Sequence, residues 1–413
     1  MAEHITHQSS KARKTTSREP SSPGGKDACH LLRLLRDQEF NTREQLAEAT
    51  GLSRRGLAKS LSFLKSRGLI QLSDHRSVKR DRLSRIPQIN ASYGHVIAID
   101  IGGSNLRVAI ADITGSVLAK WTASTKSTSS PEMVVKQVRS GVNQLLQQTK
   151  VRRSSLLAAA AGAPGVTNRT AGIVFATSYL KGWRDVPLAR LLEAELNIPA
   201  VVENDVKAAA IGENWIGAAR GVRDFVFLAI GTGIAAGIFV NGQLVHGPNW
   251  VAGEVGYMLV PGAPDGPAKL GAPGSLEGTI GGEGIRQQWL ASCDHKSARN
   301  GQDLTATGIF YHALAGNLHA RNVLERTARI LAYAVYNISS VLNSSLFVLG
   351  GGVGTNGLLI TATRRILEPY TQPARPKLIT SSLGEDAQLI GAVRLALDCA
   401  ESQIAARLVN AKS

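Results

Sequence analysis

The chain has 413 residues, 43% of them hydrophobic, and carries 47 Lys plus Arg against 31 Asp plus Glu, a formal charge of +16. That length and apolar content suffice for two or three domains with their own cores, and the positive excess fits a polyanionic partner or, taken alone, mere solubility. The three cysteines, Cys29, Cys293 and Cys399, are too scattered for a disulfide framework or a zinc ribbon, and no apolar run is long enough to cross a membrane, so a reducing cytoplasm is the expected location.

The charge is concentrated at the front. Residues 1–90 hold 18 Lys plus Arg against 9 Asp plus Glu, a net +9, which leaves +7 for the remainder. The first 26 residues are polar, basic and rich in Ser, Pro and Gly, with no apolar signal-peptide core, and are expected to be a disordered tail.

From Asp27 the stretch HLLRLLRDQ has helical period, with Leu31, Leu32, Leu34 and Leu35 as its apolar stripe. Asn41 or Thr42 then caps a short helix, Gly51 ends it, and Ser53 caps a second helix running to about Arg67. In that second helix Leu57, Leu61 and Leu64 face inward, leaving Arg54, Arg55, Lys59 and Ser60 free. LIQL and RIPQIN read as two strands around a loop carrying Arg76, Lys79, Arg80, Arg82 and Arg85. Helix, tight turn, helix and basic strand pair together predict a winged helix-turn-helix over 27–92. Ser53, Arg54, Arg55 and Lys59 would face base edges and phosphates, and Arg76, Lys79, Arg80 and Arg82 would grip the backbone of double-stranded DNA. The bland alternative is a helical hairpin with a solvated charged face; spacing, glycine turn, strands and charge all agree against it.

Beyond residue 93 the recurring feature is a buried strand that meets glycines. In VIAIDIGGSNLRVAI the segment after the glycines alternates like a strand, which excludes the nucleotide-binding turns that open a helix. Gly102 and Gly103 would let the backbone approach an anion and offer it N–H groups, while Asp100 could hold a hydrated Mg²⁺. FVFLAIGTGIAAGIFVNGQLVHG repeats the device at Gly231, Thr232 and Gly233, and LFVLGGGVGTNG is a third instance. Between the first two, a strand over Ala200 to Val202 delivers Glu203, Asn204 and Asp205 to a helix start, where α/β sheets place ligands. Asp205 is the expected base, with a helix N-cap as its alternative role. Asn204, Glu254 and Glu277 are sugar-sized hydrogen-bond partners. Two facing hairpins and a later glycine turn form the ground plan of the two-lobed, actin-like (ribonuclease H-like) ATPase fold, so the fold class is α/β behind a winged helix-turn-helix.

DIGGSN (100–105), GAPG (162–165), END (203–205), GTGI (231–234), AGEVGY (252–257), GSLEG (274–278) and GGGV (350–353) together resemble the ROK family of repressors, open reading frames and sugar kinases. The resemblance spans about residues 27–400, and the N-terminal module is similar to the family's regulator branch. It implies a small lobe over 93–203 plus 388–413 and a large lobe over 204–387. It also implies ATP phosphates at Gly102, Gly103, Ser104, Gly231, Thr232 and Gly233, with Asp100 near them. Asp205 would be the catalytic base, and Asn204, Asp205, Glu254, Tyr257 and Glu277 would bind sugar.

Departures matter as much. Ser275, Leu270 and Ala268 stand where the family's zinc loop has cysteines, and Tyr257 where it has its histidine ligand, so no structural zinc is expected. Tyr257 keeps a hydroxyl for one hydrogen bond. Ala235 and Ala236 replace glycines and would crowd a nucleotide. Arg107, Arg220 and Arg223 have no assignable role beyond solvation. The expectation is a sugar-responsive DNA-binding regulator, a repressor of carbohydrate genes, whose effector is a sugar or sugar phosphate. DNA binding needs no cofactor, no membrane is involved, and a homodimer or homotetramer is expected. The alternative is an active sugar kinase using ATP and Mg²⁺, with the front module as an accessory.

Overall fold

The computed structural model describes residues 25–37, 40, 42–75, 84–125, 129–177, 180, 182–262, 272–292, 305–370 and 375–410. Residues 1–24 of the expected tail lie outside them, and a helix already begins at Gly25.

Three helices, α1 (Gly25–Asp37), α2 (Arg43–Thr50) and α3 (Arg54–Ser66), are followed by the antiparallel pair β1 (Ile70–His75) and β2 (Ser84–Ile89). Thr42 and Gln45 form a reciprocal capping box at α2, Gly51 ends it in the left-handed region at φ 67°, and Ser53 caps α3. These local signals place the turn between α2 and α3. Leu31, Leu46, Leu57, Leu61 and Leu64 close a winged-helix core that continues without a break into the body.

The body contains two five-stranded sheets of the same plan. In the first, β3 (His95–Ile101), β4 (Asn105–Asp112) and β5 (Val117–Ser124) are antiparallel, and β6 (Leu156–Ala163) and β10 (Ala200–Asn204) add in parallel. The second repeats this with β11 (Phe225–Ile230), β12 (Ile234–Val240) and β13 (Gln243–Leu244), then β14 (Leu346–Gly350) and β15 (Lys377–Thr380). Asn241 and Gly242, at φ 54° and 75°, make the two-residue turn between β12 and β13. A small sheet of β7 (Val166–Asn168), β8 (Ile173–Ala176) and β9 (Arg184–Val186) flanks the first.

Helices α4 (Pro131–Thr149) and α5 (Leu188–Leu196) share the first sheet's core on one face. On its other face lies the long C-terminal helix α13 (Ala387–Asn410), packed along α6 (Asp205–Trp215). The alanine-rich strand LLAAAAGA and small residues on both helices allow very close approach: a Cβ on Gly391 would lie 1.7 Å from the Ala208 carbonyl, and one on Gly212 would lie 2.5 Å from that of Ala387. The two helices are therefore joined backbone to backbone. Helices α7 (Ser275–Ile280), α8 (Gly282–Ser292), α9 (Ala306–Leu314), α10 (Leu318–Leu342), α11 (Gly351–Gly354) and α12 (Gly357–Leu367) accompany the second sheet. The third glycine stretch opens into α11 and so differs from the first two, which are hairpins. Gly351 sits at φ 76°, where a Cβ would lie 2.4 Å from the Ile230 carbonyl. No helix among the described residues is long and apolar enough to cross a membrane.

Candidate functional site

A cleft of about 380 Å³ opens where the turns at the strand ends of both sheets meet. Into it come Gly103 and Ser104 from the β3–β4 turn, Gly231, Thr232 and Gly233 from the β11–β12 turn, Asn204 and Asp205 at the start of α6, and Glu254, Tyr257 and Glu277. Of the residues singled out for sugar or phosphate, only Asp100 and Gly102 are not among its lining. Ala235 lines it, while Ala236 is buried in the strand behind.

Asn204, and not Asp205, is the N-cap of α6: its Oδ1 accepts from the Lys207 amide at 3.0 Å, and its Nδ2 donates to the Gly165 carbonyl and to Asp205 Oδ1, both at 3.1 Å. Its direct role is to orient. Asp205 is thereby released from capping. Its Oδ1 accepts from the Val206 amide at 2.8 Å. Asp205 is half-buried and lines the cleft. Burial pushes its pKa up to about 7, against the Val206 hydrogen bond and with further upward pushes from Asp100 and Glu254. A base poised there is matched to taking a proton from a hydroxyl near neutral pH.

The raised pKa has a stability consequence. Folded Asp205 keeps its proton up to about pH 7, whereas the unfolded side chain loses it near 3.8, so its contribution falls as pH rises between those values. Asp205→Asn removes that decline. Its melting temperature relative to wild type is therefore expected to be higher at pH 8 than at pH 4.5, by a few degrees; the same difference at both pH values would mean that Asp205 titrates normally.

Glu254 and Glu277 are both pushed upward chiefly by burial, the first eased by the positive charge of Lys207 and the second by the Ile234 amide, which donates to Glu277 Oε2 at 2.9 Å. That bond ties α7 to the start of β12 beside the glycine turn. Tyr257 ends the short 3-10 turn Val255–Tyr257 that follows Glu254. Ser275 starts α7, whereas Ala268 and Leu270 lie outside the described residues, among which no cluster of His, Cys, Asp or Glu could hold a metal.

The two glycine turns differ from the expectation in one respect. The Gly102 amide donates to the Asn105 carbonyl at 2.8 Å and the Gly231 amide to that of Gly233 at 2.9 Å, so both N–H groups are spent closing their own hairpins. Any anion would be met by Gly103, Ser104, Thr232 and Gly233. Asp100 is 3% exposed, and Arg107, directly across the hairpin, donates Nε to its Oδ2 at 2.8 Å. The Gln388 amide, with its nitrogen turned to the carboxylate, adds a bond at 3.2 Å. Burial raises the Asp100 pKa and Arg107 opposes it. Arg107 is therefore a counterion rather than a solvated surface charge. A Mg²⁺ could reach Asp100 only through a competing arrangement of these donors, whereas the remaining turn amides fit a phosphate.

Sequence reasoning missed Lys207, His246 and Gln388. Glu203 is fully buried, paired with His246 Nε2 at 2.8 Å and Arg169 at 3.5 Å, and is not part of the cleft lining. The Asp100–Arg107 pair was legible in principle, because a hairpin turning at Gly103 and Ser104 puts residues 100 and 107 opposite each other.

On the front module Arg54, Arg55 and Lys59 are exposed along α3, as is Ser53 at its cap. Ser60 is only 2% exposed and belongs to the inner face; Ser62 takes the outward place one turn on from Lys59. Arg76, Lys79, Arg80 and Arg82 lie outside the described residues, and Arg85 falls within β2.

Residues 96–399 match the profile of the ROK family, which covers nearly the whole two-sheet body. The chain belongs to the ROK family. This ROK protein is 30% identical to a glucokinase of Halalkalibacterium halodurans over 306 residues, 71% of this chain and 92% of that one. It is 22% identical to the xylose repressor of Caldicellulosiruptor bescii over 383 residues, 89% of this chain and 94% of the repressor. Among solved structures, a ROK family transcriptional regulator described as a homologue of the E. coli MLC protein superposes with a TM-score of 0.77 over 93% of this chain and 98% of its own, at 19% identity. A Streptomyces griseus ROK glucokinase bound to glucose and AMPPNP superposes with a TM-score of 0.62 over 74% of this chain and 100% of its own, at 26% identity. The fold is thus a winged helix-turn-helix followed by the two-lobed, actin-like ROK body.

Proposed function

We propose that this protein is a sugar-responsive DNA-binding regulator of transcription, acting as a repressor of carbohydrate-metabolism genes. The observation that carries the reading is the way the front module is tied to the helix that begins in the cleft. Asp37, at the end of α1, accepts from Trp215 Nε1 at 3.2 Å and from Arg394 at 2.8 Å, and Arg394 also stands over the Trp215 ring. Arg33 and Arg36 pair with Glu401 of α13 at 2.9 and 2.6 Å. Trp215 is the last residue of α6, whose first is Asp205. About 16 Å of straight helix therefore joins cleft floor and α1 anchor.

A sugar that prefers one arrangement of the cleft can shift the module through this connection, as any effector must differ in affinity between the two states. Two copies in a dimer would present α3 to successive major grooves of a palindromic site. The lining contains three carboxylates, Asp205, Glu254 and Glu277, and no Lys, Arg or His among the described residues, which favours an uncharged sugar over a sugar phosphate at that end. Gel shifts of fragments from the protein's own genome, with and without a panel of sugars, test the proposal. Retardation relieved or strengthened by one sugar supports it; no retarded fragment under any condition rejects it.

The kinase reading is favoured by one specific feature, the retained Asp205 with a pKa of about 7 in the cleft. It requires ATP turnover with a hexose or amino sugar that Asp205→Asn abolishes.

A further inference from the structure

The third residue of α6 is a lysine, placed where few proteins put one. Lys207 is 2% exposed in the first turn of a helix, where both burial and the helix dipole oppose a positive charge. Its Nζ donates to the Trp250 carbonyl at 3.0 Å. Trp250 is held at φ 65°, a left-handed conformation uncommon for a large side chain. It lies in a strap, residues 246–253, that crosses from β13 to Glu254.

A second tether grips the other end of the strap. His246 Nε2 meets Glu203 Oε2 at 2.8 Å, and the His246 and Trp250 rings pack edge to face. Glu203 and Lys207 bracket Asn204 and Asp205, so the strap is fastened to the same turn of chain that carries the proposed base. The charged groups around Lys207 are Glu203 and Glu254, which favour its ammonium form against desolvation; Glu277 acts in turn on Glu254, and Arg169 on Glu203. Lys207 itself is not part of the cleft lining.

We infer that Lys207 is a positioning residue of the cleft: it clamps the 246–253 strap through the Trp250 carbonyl and so fixes where the Glu254 carboxylate stands. This rests on the sugar-binding reading for its effect on affinity, but not for the clamp. Losing the lysine leaves the Trp250 carbonyl unpartnered and removes the cation behind Glu254, so the strap loosens and its carboxylate no longer meets a hydroxyl at a fixed point.

The test uses the full-length protein as wild type, Lys207→Met, and Lys207→Gln, the last keeping a donor without the charge. Hydrogen–deuterium exchange is expected to rise at least about tenfold across 246–253 in Lys207→Met and less in Lys207→Gln, with β11 and β14 unchanged. In calorimetry against uncharged hexoses and N-acetylhexosamines, the sugar that binds wild type should bind Lys207→Met about tenfold more weakly. Adding Lys207→Met to Glu254→Gln should cost nothing further, since both act through one carboxylate. Unchanged exchange in the strap overturns the clamp, and losses that multiply in the double variant overturn its action through Glu254. If no sugar binds wild type, the sugar reading fails while the exchange result still decides the clamp.

Discussion

On the proposed DNA-binding reading, replacing Arg54 and Arg55 together by alanine lowers affinity for the operator at least about 100-fold. Each arginine at the start of a recognition helix is worth roughly 1–3 kcal/mol when it meets a guanine edge or a phosphate, and in the proposed dimer the two replacements remove four such side chains. Neither residue holds the fold: both are exposed, and the cap is supplied by Ser53, whose Oγ accepts from the Gly56 amide at 3.1 Å. The variant should therefore melt with wild type. Fluorescence anisotropy with labelled operator, titrated at several salt concentrations, measures the effect and should show a shallower salt slope as phosphate contacts disappear. Unchanged operator affinity in a folded double variant would show that α3 does not read DNA.

Glu401→Gln should destabilise the protein by up to about 3 kcal/mol and, on the proposed regulator reading, blunt the effect of sugar on DNA binding. The Glu401 carboxylate is 7% exposed and receives both Arg33 and Arg36, and the Arg36 side chain is 3% exposed. Removing one partner of a buried pair typically costs about 3–5 kcal/mol when it strands the other charge; here Arg33, half exposed, can regain water and Arg36 keeps Asp37 at 3.3 Å and Asp398 at 3.8 Å, so about 3 kcal/mol is the upper bound. Denaturant unfolding followed by circular dichroism measures the loss, and gel shifts with the effector measure the coupling. DNA affinity itself should change little, because α3 is untouched. A variant as stable as wild type, with full relief by sugar, would remove the α1–α13 connection from the account.

Much of this architecture is written locally. Thr42 with Gln45, Gly51 and Ser53 are capping and turn chemistry within a few residues, so the helix-turn-helix is readable without any partner. Asn241-Gly242 dictates its hairpin for the same reason. The order of glycine turns and the END stretch placed most of the cleft, since strand ends in such sheets converge on one edge. Where two local rules compete, the sequence leaves the choice open. Asp205 and Asn204 are both good caps, and nothing within END says which side chain turns back to the helix; the Gly165 carbonyl, which binds the Asn204 amide, decides it.

By itself, then, the sequence determined the elements, their order and the chemistry available at the turns, because periodicity, capping and backbone preference act over a few residues. Three-dimensional packing settles which face of α3 holds Ser60, that Gly102 spends its amide on its own turn, that Lys207 is buried, and that Arg33 reaches Glu401 across 368 positions of chain. Contacts between segments so far apart leave no period in the sequence. They are set by which surfaces remain to be covered once each sheet has formed, and here that physical choice joins the module that would hold DNA to the helix that would feel the sugar.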